Sequence, residues 1–238
     1  MKNNENGRSM VEMLGVLAII GVLSAGGLAG YSKAMYKYRV NETMNQLTMI
    51  VSNIRTLFGS QSTYTGLGTS ISSPMSAQDA LKYGIVTPDM LKDSALQNPF
   101  KGAIKIAPSI GRKANDNETF IIEYDSLPAE ACVTIVTSDW GSGAGSGLVG
   151  IAAYNVGGTG AATSGTVNKE IMRDSKTPKA GSTTGEFEQE NTPLNDRLIT
   201  QAASAPFTIA AAVAACRPTS TADNKDTSQN ASVALKYY

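Results

Sequence analysis

Residue type and spacing set up a defined chemistry near the N-terminus. Glu12 stands at the head of residues 13–32, a stretch without a single charged side chain. Within it Leu14, Val16, Leu17, Ala18, Ile19, Ile20, Val22 and Leu23 are apolar on every face of a helix, so the segment must be buried all round. At 1.5 Å rise per residue the stretch reaches about 30 Å, the thickness of a bilayer's hydrocarbon core. An acid beside such a segment costs a few kcal/mol if it enters hydrocarbon, so it needs a partner. If the chain is cut after Gly7, Arg8 becomes the new N-terminus and Glu12 lies about one helical turn away. The fresh amine and the carboxylate then neutralise each other, within one subunit or across to the next. The chemistry implied is charge pairing, not bond making.

Other constellations are weak. Histidine is absent, which removes the commonest general base and metal ligand. No metal site, cofactor site or catalytic set stands out. Lys and Arg balance Asp and Glu at 20 each, so no broad basic field awaits nucleic acid. Gly145, Gly147 and Gly150 satisfy GxGxxG, but a dinucleotide site wants that pattern between a strand and a helix, and the neighbours here are more small residues. Cys132 and Cys216 are the two cysteines, too far apart in sequence for a CxxC. They are either one bridge or two free thiols. In an oxidising compartment a bridge would close a loop worth about 4 to 5 kcal/mol on the chain-entropy model.

The elements that hold these residues are legible in outline. An ordinary secretory signal, with Ser24, Ala25, Gly26 and Ala29 as its cleavage region, is disfavoured by the length of the apolar run and by Glu12 at its head. The helix carries Gly15, Gly21, Gly26, Gly27 and Gly30, each costing about 1 kcal/mol relative to Ala. Gly26 and Gly30 form a GxxxG that lets helices approach closely, and Gly26-Gly27 is a place for local unwinding. Beyond Lys33, Tyr36, Val40, Met44, Leu47, Val51, Ile54 and Phe58 are spaced by four or three, one apolar stripe on a continuing helix that Gly59 ends. Residues 59–76 read as a loop, 77–83 as a short helix stopped at Gly84, and 104–107 and 119–124 as strands. A helix starts at Pro128 and runs to about Trp140, residues 141–185 read as loops and strand edges, and 232–238 as a closing strand.

The string from Gly7 and Arg8 through Glu12, Leu14, Leu17 and Ile20 to Gly21 resembles the class III signal of type IV prepilins and type II secretion pseudopilins. Residues 84–91 and 98–106, and the helix bearing Cys132, are similar to type IVb pilins. The resemblance implies an α+β pilin fold, a long N-terminal helix packed on an antiparallel sheet. It divides the chain into a leader (1–7), a transmembrane and polymerisation helix (8–32), its amphipathic half (33–58) and a periplasmic or extracellular globular domain (59–238). It implies cleavage between Gly7 and Arg8 by a prepilin peptidase, usually with methylation of the new amine; Arg8 stands where the family usually has Phe, Met or another apolar residue. It implies that Cys132 bonds to Cys216. Assembly would run through Glu12, Leu14, Leu17, Ile20, Gly21, Gly26 and Gly27. The partners would be further copies in a homopolymeric filament, the peptidase, a pilus assembly platform and the membrane. The precursor would cross the bacterial inner membrane once before entering an extracellular pilus. A pseudopilin shares the N-terminus, but the length, the bridge and the IVb-like middle favour a pilin. A membrane-tethered periplasmic binding or enzyme domain is the rival of a different class, and no catalytic constellation supports it.

Overall fold

A computed structural model describes residues 10–70, 73–109, 117–141, 147–155, 197–201, 209, 212–213, 216 and 230–238. The chain divides into two compact units, residues 1–41 and 42–238.

In the first unit the described residues belong to one element, the N-terminal part of helix α1 (Met10–Phe58). The helix is unbroken through Gly26 and Gly27, where the paired glycines suggested local unwinding. It stops at Phe58, as Gly59 predicts: the Phe58 carbonyl accepts from the Gln61 amide at 2.8 Å, and a Cβ at position 59 would stand 3.0 Å from the Arg55 carbonyl oxygen.

The second unit is built on residues 42–58 of α1. The predicted stripe is buried there at Leu47, Val51, Ile54 and Phe58, with Met44 packed against the core from its edge. Ile50, fully buried, widens the stripe in the way a helix lying on a sheet requires. Facing it is a five-stranded antiparallel sheet of β5 (Ile104–Ser109), β6 (Thr119–Pro128), β7 (Leu148–Asn155), β8 (Arg197–Gln201) and β9 (Asn230–Tyr237) in the order β5-β6-β9-β7-β8. The strand nearest the C-terminus is therefore the middle one. Ala231, Val233, Leu235 and Tyr237 of β9 join Ile104, Ile106, Phe120, Ile122, Tyr124, Ile151 and α1 in one core. Two short ribbons, β1 (Gly68–Ser70) with β2 (Ser73–Pro74) and β3 (Leu91–Lys92) with β4 (Ala95–Leu96), precede the sheet. Helix α2 (Ala77–Lys82) lies between them, capped by Ser76, whose Oγ accepts from the Asp79 amide, and closed at Gly84 in the left-handed region at φ +71°.

Three expectations are corrected. Leu148–Asn155, within the stretch read as loops and strand edges, is an eight-residue strand paired on both sides. Its small residues, Gly150, Ala152 and Ala153, blur the period-two signal, and Ile151, Ala152 and Ala153 are all buried, so no polar face alternates. The rest of that stretch, 142–146 and 156–185, lies outside the described residues. Helix α3 (Ala129–Thr137) ends three residues short of Trp140, because the indole Nε1 turns back to donate to the Ile135 carbonyl at 2.7 Å. The strand predicted over 119–124 continues to Pro128 through a bulge after Tyr124, where Ser126 takes φ +57°.

One polar residue locks the entry to β5. Asn98 is buried; its Oδ1 accepts from the Phe100 amide at 2.8 Å and the Gly102 amide at 3.0 Å, and its Nδ2 donates to the Asp125 carbonyl at 2.8 Å. Lys101 sits at φ +69° to make the turn, and any Cβ at Gly102 would collide with the Asp125 carbonyl. The motif singled out in the sequence is thus a side-chain-held turn. Nearby Lys105 bridges Glu123 and Asp125, the latter at 2.8 Å, while Ser232 Oγ donates to Asp125 Oδ1 at 2.7 Å. Burial alone would lower the Lys105 ammonium, but hydrogen bonds and charge from the two carboxylates outweigh it and hold the group protonated above its ordinary range.

Candidate assembly surface

The candidate site is a helix surface, not a cleft. Leu14, Leu17, Ile20 and Leu28 are 65%, 64%, 52% and 69% exposed, and Val16, Ile19, Val22 and Leu23 are equally bare. Covering each such side chain contributes about 1.5 to 3 kcal/mol, so this face is complete only against lipid or protein. The helix is long and apolar enough to cross a membrane.

Gly15, Gly21, Gly26, Gly27 and Gly30 have open space where a Cβ would stand, with nothing within 4 Å. The chain's own packing gives no reason for them, although each weakens the helix. Small residues at helix contacts let backbones approach, so their use belongs with whatever the helix meets. Glu12 is exposed in the first turn, where a carboxylate complements the helix dipole. Among the described residues no cation pairs with it. Gly7 and Arg8 lie outside the described residues.

The disulfide joins Cys132 of α3 to Cys216, with Cα atoms 5.8 Å apart across a sequence separation of 84. Both sulfurs are buried, and Cys216 is held by its amide, which donates to the Ala212 carbonyl at 2.9 Å. The cross-link ties the far segment to the helix that abuts β6, β7 and β9.

For the rival binding reading, the described residues offer an open recess of about 530 Å³ beside α1, bounded by Thr48, Ser52, Arg55, Asp139, Trp140 and Tyr237. Its polar groups have structural employment. The Arg55 guanidinium lies 4.9 Å from the Tyr237 ring centroid, Asp139 Oδ1 accepts from the Gly141 amide, and the Trp140 indole is committed to Ile135. The GxGxxG pattern has no phosphate-cradling context: Gly147 precedes a strand and Gly150 lies within it, and Gly145 is outside the described residues. Roles for off-stripe residues were not legible in the sequence. Asn53, for instance, donates to the carbonyls of Gly84 and Ile85 at 3.1 Å, tying α1 to the end of α2.

Comparison with known proteins bears on this arrangement. The family model described as PilS N terminal matches residues 37–183, more than half of the chain. The chain is 28% identical over 138 residues to the toxin coregulated pilin of Vibrio cholerae, covering 58% of this chain and 59% of that one. It therefore spans less than two thirds of that relative's length. It is 28% identical over 159 residues to the major structural subunit of bundle-forming pilus from Escherichia coli O111:H-, covering 65% of this chain and 75% of the relative. The crystal structure of TcpA, a type IV pilin from the El Tor biotype of Vibrio cholerae, superposes with a TM-score of 0.52 at 17% identity, over 84% of this chain and 99% of that one. The chain thus belongs to the PilS N-terminal family and, in fold, to the type IV pilins.

Proposed function

We propose that this chain is the structural subunit of a type IV pilus, made as a single-pass inner-membrane precursor and polymerised through its N-terminal helix into an extracellular filament. The observation that carries the reading is the bare apolar surface of residues 13–28 in a chain of pilin family and fold. In the precursor that surface is solvated by lipid tails. In a filament it is covered by the same surface of neighbouring copies, which preserves its burial while the globular units leave the membrane.

A prepilin peptidase cuts between Gly7 and Arg8 in this scheme. The new amine and Arg8 place positive charge one turn from Glu12. A carboxylate inside an apolar bundle is penalised until paired, so an incoming subunit settles at the axial register where its Glu12 meets an amine. An assembly platform would deliver subunits to that register. The curated relatives named above are pilus subunits and not secretion pseudopilins, and that favours a pilus for this chain.

Replacing Glu12 with Ala tests the charge step. The variant is expected to enter the membrane and lose its leader normally, yet to yield few or no surface fibres by electron microscopy. Normal fibre numbers would remove Glu12 from the assembly scheme.

A further inference from the structure

Between Glu12 and Glu42 the only charged residues are Lys33, Lys37 and Arg39, all of them cations. Tyr31 and Tyr38, seven apart on α1, share one face and are 64% and 61% exposed. Lys33 and Lys37, four apart, share a second face and are exposed as well. The helix thus leaves its apolar stretch through a belt of two phenols and two ammonium groups. Tyrosine rings settle at the headgroup level of a bilayer, and lysine stems lie along apolar surface while their heads stay in water.

We infer that Tyr31, Lys33, Lys37 and Tyr38 form a collar that docks on anionic phospholipid headgroups and fixes the depth at which the Gly7–Arg8 bond stands at the opposite face of the membrane. The inference rests on the reading that this helix spans a bilayer. From Glu12 to Lys33 the helix rises about 31 Å, against a hydrocarbon core of about 30 Å. One charged group therefore marks each boundary. A second copy at the same depth would bring an identical positive belt, and like charges repel; an anionic headgroup layer complements both lysines. Sliding the helix by one turn would draw either Glu12 or Lys33 into hydrocarbon. The collar thereby delivers the scissile bond to a fixed level.

The test uses the full chain with Ser32→Cys as its only free thiol, the other two cysteines being bridged. A nitroxide on that thiol reports depth through its relative exposure to oxygen and to a water-soluble nickel complex. In vesicles of phosphatidylethanolamine with phosphatidylglycerol the label is expected at headgroup level. In a K33M/K37M background it should move several Å toward the acyl region, bounded by the six-residue step to Arg39, about 9 Å. K33R/K37R should restore the original depth, and vesicles of phosphatidylcholine should shift the parent chain toward the K33M/K37M position. In the anionic vesicles, cleavage by a reconstituted prepilin peptidase should slow several-fold in K33M/K37M and not in K33R/K37R. Equal depth in all backgrounds and both lipids overturns the collar while leaving the spanning helix intact. Equal depth combined with loss of filaments in K33M/K37M overturns it in favour of a second copy as the collar's partner. A label that stays in bulk water in every sample overturns the spanning reading itself.

Discussion

Replacing Asn98 with Ala should destabilise the globular unit by about 3 kcal/mol. The substitution removes three hydrogen bonds, to the Phe100 amide, the Gly102 amide and the Asp125 carbonyl. The Gly102 bond is buried, so its donor is orphaned at a cost of about 1 to 3 kcal/mol. The other two are partly buried, and water recovers part of each, leaving about 0.5 to 1 kcal/mol apiece. For a domain of this size that total corresponds to a fall in Tm of about 6 to 12 °C. Thermal unfolding of the detergent-solubilised chain by circular dichroism reads it directly. Asn98→Asp separates the three bonds: it retains the acceptor for both amides but turns a carboxylate oxygen toward the Asp125 carbonyl, so at neutral pH it should fall between wild type and Ala. A loss below about 1 kcal/mol for Asn98→Ala, or an Asp variant as stable as wild type, would refute the account of this turn.

Two further outcomes follow from the same packing. Burial pushes the Tyr237 phenol up to about 12, against the opposing pull of Arg55, while the unfolded chain titrates near its ordinary 10.0. Because the folded pKa is the higher one, this residue's contribution is intact below pH 10 and is lost as pH rises from 10 through 12, about 2 to 3 kcal/mol in all. Denaturant titrations across that range should show the decline, and Tyr237→Phe should lessen it, leaving the part that Tyr124 and Tyr64, whose phenols burial also raises, contribute. Replacing Cys132 and Cys216 together with Ser should cost about 4 to 5 kcal/mol, from freeing the long loop in the unfolded chain. Urea midpoints under matched conditions measure that cost, and a midpoint unchanged from wild type would contradict it.

How far the architecture was legible in the residues depended on which physical signal each element carries. Helix α1 was readable because its stripe keeps one period from Tyr36 to Phe58, and its end was readable because Gly59 follows. Strands β5 and β6 showed through β-branched and aromatic residues. Strand β7 did not, since Gly150, Ala152 and Ala153 have low strand preference and become a strand through burial between β9 and β8. That β9 is central is a topological fact that no local pattern encodes. The motif from Asn98 to Gly102 was visible as a string, whereas its cause, a buried amide reaching to Asp125 across 27 residues, needed coordinates. The apolar run and Glu12 were plain because a membrane-length stretch without charge is a strong signal by itself. The double glycine misled: its loss of helix propensity is real, but Ala25 before it and Leu28 and Ala29 after it favour the helix, and α1 runs through unbroken.

The scheme turns on proteolysis exposing an amine for Glu12 before the helix enters a fibre. Intact-mass spectrometry of protein sheared from the surface of cells that carry the prepilin peptidase tests this directly. The predicted species begins at Arg8 and carries one internal disulfide. Fibres built from chains that retain residues 1–7, or a chain found only in the membrane with its leader in place, would contradict the account.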